Sequence, residues 1–148
     1  MIYTVGEMAK KLGVAPSTLR YYDKEGILPF VERSGGGIRI FKDSDFEWLS
    51  VISCLKKTGM KLSDIKAFVE MAMMGDDTIE PRLDLIVAQK NAVKAKIDEL
   101  QETLHMLEFK EWYYETAKES GTTEVPRKIP LDELPEAFRD VRRKLTGK

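Results

Sequence analysis

The feature that most constrains this chain is an apolar seam with no partner in its own sequence. From Ile79, alternating steps of four and three residues pick out Leu83, Ile86, Lys90, Val93, Ile97, Leu100, Leu104, Leu107, Glu111 and Tyr114, and all but Lys90 and Glu111 are apolar. That period describes one helix with a single sticky face. Thr78 stands where a cap belongs, and Pro81 falls in the first turn, where its missing amide is not needed. At ~1.5 Å per residue such a helix is about 50 Å long. The 75 residues ahead of it are too few to bury the whole seam, and no second long helix follows. A partner helix is needed, most simply from a second copy, with Leu83, Ile86, Val93, Ile97, Leu100, Leu104 and Leu107 at the dimer interface.

Upstream, the local signals describe short helices and a hairpin. Thr4 and Glu7 have capping-box spacing, Val5, Met8, Ala9 and Leu12 recur at helical period, and Gly13 is a stop. Pro16 suits a first helical position, which predicts a second helix through Lys24 that closes at Gly26. Two short helices around so tight a turn make a helix-turn-helix candidate. Residues 30–33 and 38–41 then flank Ser34-Gly35-Gly36-Gly37, a run able to take the positive φ of a hairpin loop. Alternation puts Arg39 and Phe41 on one face and Ile38 and Ile40 on the other. Asp43 or Ser44 is placed to cap a third helix, which carries Phe46, Leu49 and Ile52 and ends at Gly59. A fourth carries Leu62, Ile65, Phe68 and Val69, starting near Lys61 or Ser63. Beyond Gly121, Pro126, Pro130 and Pro135 suggest a semi-rigid linker before a short amphipathic C-terminal helix with Phe138, Val141 and Leu145, expected to pack back on the protein. The expected division is 1–75, 78–118 and 119–148.

Composition removes several classes. No apolar run approaches the ~20 residues of a membrane helix, and the first residues lack a signal-peptide layout, so a cytoplasmic protein without membrane partners is expected. Cys54 is the only cysteine and His105 the only histidine, which argues against a disulfide, a soft-metal site or any other bound cofactor. No nucleophile–base set or phosphate loop points to an enzyme. Residues 1–75 hold 11 Lys and Arg against 9 Asp and Glu, a surplus too small to argue for nucleic acid by charge. That case rests on pattern.

In the second helix Ser17, Arg20, Tyr21 and Lys24 share one face, while Leu19 and Tyr22 turn to the core. A face of Arg, Tyr, Ser and Lys just after a helix-turn is what a major groove admits, with Arg for guanine edges or phosphates and hydroxyls for phosphates. The plain alternative is a solvated helix face. A hairpin with Arg39 at its edge, suited to a flanking phosphate or minor groove, favours DNA.

The order YTVGEMAKKLGV, TLRYYDKEGIL, the hairpin ending GIRIF and then DFEWLSVISCLKKTGMKLSDIK resembles the MerR family over residues 1 to about 116. The resemblance implies a mostly α fold: a winged helix-turn-helix with a long dimerisation helix in an antiparallel coiled coil. It implies a homodimer that binds double-stranded promoter DNA and switches transcription by bending and untwisting it, so that RNA polymerase is affected indirectly. It implies a recognition helix at Pro16–Lys24 with DNA contacts at Arg20 and Tyr21, contacts at Arg39 and Phe41 in the first wing, and at Lys61 in a second; with Ser17, Thr18 and Lys24 of the same helix these make the candidate DNA-binding set. Ala15 departs from the serine or threonine cap common in such relatives.

The stretches SCLKKTGM and FKEWYYETAKESGT resemble the single-cysteine, aldehyde- or electrophile-responsive branch, which makes Cys54 a possible sensor. Its position near a helix C-terminus argues against a thiolate, Lys56 and Lys57 argue for one, and a small cysteine on a helix is often core filler. Trp112, Tyr113 and Tyr114 suggest packing against a neighbouring element more than a ligand pocket, and His105 suggests a solvated or interface residue. The alternatives to an electrophile-responsive regulator are one with another small-molecule effector and a coiled-coil module that binds protein.

Overall fold

A reciprocal cap opens the fold. In this computed structural model, which describes residues 1–147, the Thr4 hydroxyl accepts from the Glu7 amide (3.3 Å) and the Glu7 carboxylate accepts from the Thr4 amide (2.8 Å). The two bonds satisfy amides that a helix start leaves unpaired, and the bond from the Thr4 amide, followed by one from the Thr4 hydroxyl (2.9 Å), holds the Glu7 carboxyl below its usual pKa. Helix α1 runs Val5–Leu12 and closes at Gly13 with φ of 70°. Helix α2 (Pro16–Lys24) has the expected span, and Ala15 gives it no side-chain cap.

Three short strands follow the order β1 (Ile2–Tyr3), β3 (Arg39–Lys42), β2 (Glu32–Arg33), all antiparallel. Tyr3 pairs with Phe41, and Arg33 with Arg39. The hairpin is shorter than expected because Phe30 and Val31 leave the strand to rest on the core. Strand β1 carries no sequence signal, being two residues long. Helix α3 (Asp43–Lys57) is not capped by Asp43 or Ser44: the Lys42 amide donates to the buried Asp45 carboxylate (2.8 Å). Asp43 instead accepts from the N-terminal ammonium (2.8 Å) and the Tyr3 hydroxyl (2.7 Å), fastening β1 to α3. Those two bonds lead in holding its carboxyl below the usual range.

Met8, Leu19, Ile27, Phe41, Leu49, Ile52 and Ile65 form the heart of one continuous core. Helix α4 (Leu62–Met74) completes it, and a 3-10 turn (Asp76–Thr78) leads into α5 (Ile79–Ser120). Thr78 precedes α5 as expected, but its hydroxyl donates backwards to the Met71 and Gly75 carbonyls at the end of α4. Arg82 donates to the Gly75 carbonyl (3.1 Å) as well. Leu85 rests on the core, and the Gln89 amide donates to the Thr58 hydroxyl. Packing therefore groups Met1–Asn91 as one compact unit and the chain from Ala92 as another, with α5 shared between them, rather than dividing at 75.

In the second unit a short C-terminal helix lies where the amphipathic stretch was expected, but the stretch before it is more structured than a linker. Residues after Gly121 form α6 (Glu124–Lys128), a 3-10 turn (Leu131–Glu133) and α7 (Glu136–Thr146). Pro126 lies in the first turn of α6, where proline costs no hydrogen bond, and it is buried. The Phe109 ring sits 5.6 Å from Phe138, 6.0 Å from Trp112 and 6.2 Å from Tyr113, centroid to centroid. Arg142 covers Phe109 and donates to the Pro126 carbonyl (2.9 Å). Trp112 and Tyr113 thus pack within their own unit, with half-exposed His105 beside Phe138 (5.8 Å), while Tyr114 stays exposed.

Phe41 has no exposed surface, so its truncation should act on folding. Phe41→Ala is expected to lower unfolding free energy by about 3–5 kcal/mol in urea titrations, the range for aromatic-to-alanine changes in a core. A loss under 1 kcal/mol would contradict its place there.

Candidate nucleic-acid interface

Helix α2 separates its faces as the spacing requires. Leu19 and Tyr22 are buried, while Ser17, Arg20, Tyr21 and Lys24 are exposed and Thr18 is half-buried. Burial raises the Tyr22 hydroxyl pKa, with Tyr21 adding to it; Tyr21, in contrast, keeps 48% of its surface in water. The face holds two cations and two hydroxyls on consecutive turns, a set that suits base edges and phosphates.

The wing is tied to this helix by charge. Arg39 Nε donates to Asp23 Oδ2 at 2.6 Å and Arg33 Nη2 to the same oxygen at 2.7 Å, with Arg33 also reaching the Gly37 carbonyl (3.1 Å). Asp23 belongs to α2, so Arg39 is brought beside the recognition-helix candidate but is engaged there. Arg33 and Asp23 escaped the sequence reading. Nothing in local spacing marks contacts ten and sixteen residues apart. A further wing pair joins Lys42 to Glu32. Phe41 is a correction: fully buried, it offers no side-chain surface to DNA and serves instead to seat the wing. Lys61 is exposed just ahead of α4, on an element separate from α2 and the wing.

Along α5, Leu83, Ile86, Ile97, Leu100, Leu104 and Leu107 remain exposed, Leu100 by 67%, and Val93 is half-buried. Cys54 is exposed rather than core filler. It lines a shallow cleft of about 290 Å³ with Lys11, Leu12, Phe46, Ser50, Ser53 and Lys57. Among the described residues no three His, Cys, Asp or Glu side chains gather as a metal site, and no helix is long and apolar enough to cross a membrane.

The family description MerR HTH family regulatory protein matches residues 3–72, and a second, MerR, DNA binding, matches 46–108. A helix-turn-helix-type transcriptional regulator of Haemophilus influenzae is 47% identical over 136 residues, spanning 92% of this chain and 98% of that protein. The chain belongs to the MerR family. Among solved structures similar to this MerR chain is HiNmlR, described as a MerR family regulator lacking the sensor domain, bound to promoter DNA. It has a TM-score of 0.80 at 47% identity and covers 91% of this chain and 100% of its own. A MerR family regulator from Bacillus thuringiensis follows at 39% identity and TM-score 0.67, covering 80% and 99%. AdhR of Bacillus subtilis is more distant, 29% identical over 86 residues, which are 58% of this chain and 61% of AdhR. Membership makes this MerR chain a DNA-binding transcriptional regulator with a helix-turn-helix, a small wing sheet and a long helix, and not an enzyme.

Proposed function

We propose that this chain is a homodimeric regulator of promoter DNA that reads its operator with α2, supported by the wing and Lys61. The observation that carries the reading is the exposed face of Ser17, Arg20, Tyr21 and Lys24 on a helix whose other side is locked in the core. The likeness to HiNmlR, which is bound to promoter DNA, supports the same target. Dimerisation is supported by the exposed α5 seam: each Leu or Ile moved from water to a partner helix contributes about 1.5–3 kcal/mol, and a seam so long asks for an antiparallel coiled coil. Two α2 helices on one duplex then act on DNA shape. Bending and untwisting the promoter changes how its elements face RNA polymerase without any direct contact to the enzyme.

The effector is the finer part of the proposal. Exposure of Cys54, beside Lys11 and Lys57 in the cleft, supports the thiol as the site where an aldehyde or other electrophile adds. Adduct bulk on α3 would bias the geometry of the DNA-bound dimer, and a few kcal/mol of bias shifts most of a two-state population.

Three outcomes test these claims. Arg20→Ala is expected to lose operator discrimination worth ~1–3 kcal/mol in gel shifts at physiological salt; binding as tight as wild type would refute the recognition helix. Charged residues in place of Leu100 and Leu104 should give monomers or insoluble protein by light scattering, whereas an unchanged dimer would refute the seam. Cys54→Ser should keep operator binding and lose induction by an aldehyde or quinone. A Cys54→Ser regulator that responds like wild type would leave the thiol without a sensing role.

A further inference from the structure

Asp23 is out of place for a residue of a DNA-reading helix. It lies in the last turn of α2, where the helix dipole disfavours a carboxylate, beside a face expected to meet phosphates. Its side chain is only 16% exposed, and one of its oxygens accepts from both Arg33 and Arg39. These two arginines come from the paired residues of β2 and β3, so one carboxylate holds both strands of the wing hairpin. A carboxylate in this place occupies the donors that a phosphate would otherwise take.

We propose that Asp23 is a positioning residue that clasps the wing arginines Arg33 and Arg39 against α2, fixes the wing beside the recognition helix, and withholds one unit of their charge from DNA. Two guanidinium groups on one carboxylate present a net charge of +1 to the duplex instead of +2. The consequence is selective. Non-specific binding follows cation count through counterion release, whereas operator binding also needs the wing and α2 in register. The clasp therefore suppresses affinity for arbitrary DNA and preserves affinity for the operator. Arg33 and Arg39 become residues whose reach is set by an acid on another element. The inference rests on the reading of α2 and the wing as the DNA interface.

The test compares the full-length wild type with Asp23→Asn, measuring affinity for an operator duplex and a scrambled duplex across a salt series. In Asp23→Asn the plot of log K against log salt for scrambled DNA should steepen by about one, the effect of one more phosphate neutralised. The ratio of operator to scrambled affinity should fall severalfold. Asp23→Glu, which keeps the charge and an acceptor, should restore both values towards wild type. Adding Arg33→Gln to Asp23→Asn should return the slope to the wild-type value, because one free arginine then remains. Glu25→Gln removes an exposed carboxylate from the same end of α2, so it reports generic charge. An effect as large as that of Asp23→Asn would overturn the clasp, as would an unchanged slope and ratio in Asp23→Asn. If Asp23→Asn fails to fold, Arg33→Gln alone decides: the clasp predicts a slope shallower by about one, and an unchanged slope overturns it. A wild-type chain without salt-dependent affinity for any DNA would instead refute the interface itself, which separates the two failures.

Discussion

Burial of one aromatic ring holds the DNA-binding unit together. A sheet made of two-residue edges around a four-residue strand cannot stand alone in water, and here it is anchored by Phe41, which reaches from the central strand into the cluster of Met8, Leu19, Leu49 and Ile52. Burying such a side chain contributes about 1.5–3 kcal/mol, while an exposed ion pair contributes about 1 kcal/mol or less. Lys42–Glu32 is such an exposed pair; the Asp23–Arg39 pair is largely buried, so core and clasp together set where the wing sits. Because alternate residues of a strand share a face, seating Phe41 inward also turns Arg39 toward α2, where Asp23 receives it.

The long helix obeys a second constraint: it must satisfy two surfaces at once. Arg82, Leu85 and Gln89 recur at helical spacing and meet the end of α4, the core and Thr58. Ile79, Leu83 and Ile86 lie on another side and remain in water. With apolar residues on more than one side, α5 reads as neither a simple surface helix nor a pure coiled-coil strand. The arrangement has a functional meaning within the first unit. The turns that carry the start of the seam are the same turns fastened to the ends of α3 and α4, so in the proposed dimer a partner on the seam would be joined through them to the body that carries α2.

Much of this was legible in the sequence wherever the signal was local. Thr4 with Glu7, Pro16, Gly13 and the four–three period from Ile79 each name a backbone requirement that only a few residue types meet, and α1, α2 and α5 fall where those residues put them. Readings that depended on tertiary context went differently. Phe41 alternates correctly with its neighbours, but alternation assigns a face without saying what covers it, and the cover is the core. Asp43 has the chemistry of a cap, yet Tyr3 and the N-terminus compete for it, leaving the role to Asp45. The prolines after Gly121 looked like a linker because proline disfavours helix interiors; Pro126 sits in a first turn, and the aromatic cluster around Phe109 supplies the burial that makes α6 and α7 a packed unit. The exposed face of α2 was legible for a different reason. A helix buried on one side must show its other side, and Leu19 and Tyr22 fix which side that is.

The small charge surplus of the first 75 residues, 11 Lys and Arg against 9 Asp and Glu, bears on how such a regulator finds its site. A protein that bound DNA through a large excess of cations would hold tightly to any duplex, and discrimination would be a small addition to a large non-specific term. Here several cations near the interface are already engaged: Arg33 and Arg39 by Asp23, Lys42 by Glu32. If α2 and the wing are the interface proposed above, these engaged charges would lower attraction to arbitrary sequence and leave more of the binding to base edges and to the shape of the duplex. A regulator that acted by deforming DNA, as proposed above, would benefit from this balance. Deformation costs free energy that depends on the sequence deformed, and that cost selects a site only when charge alone is too weak to offset it everywhere else.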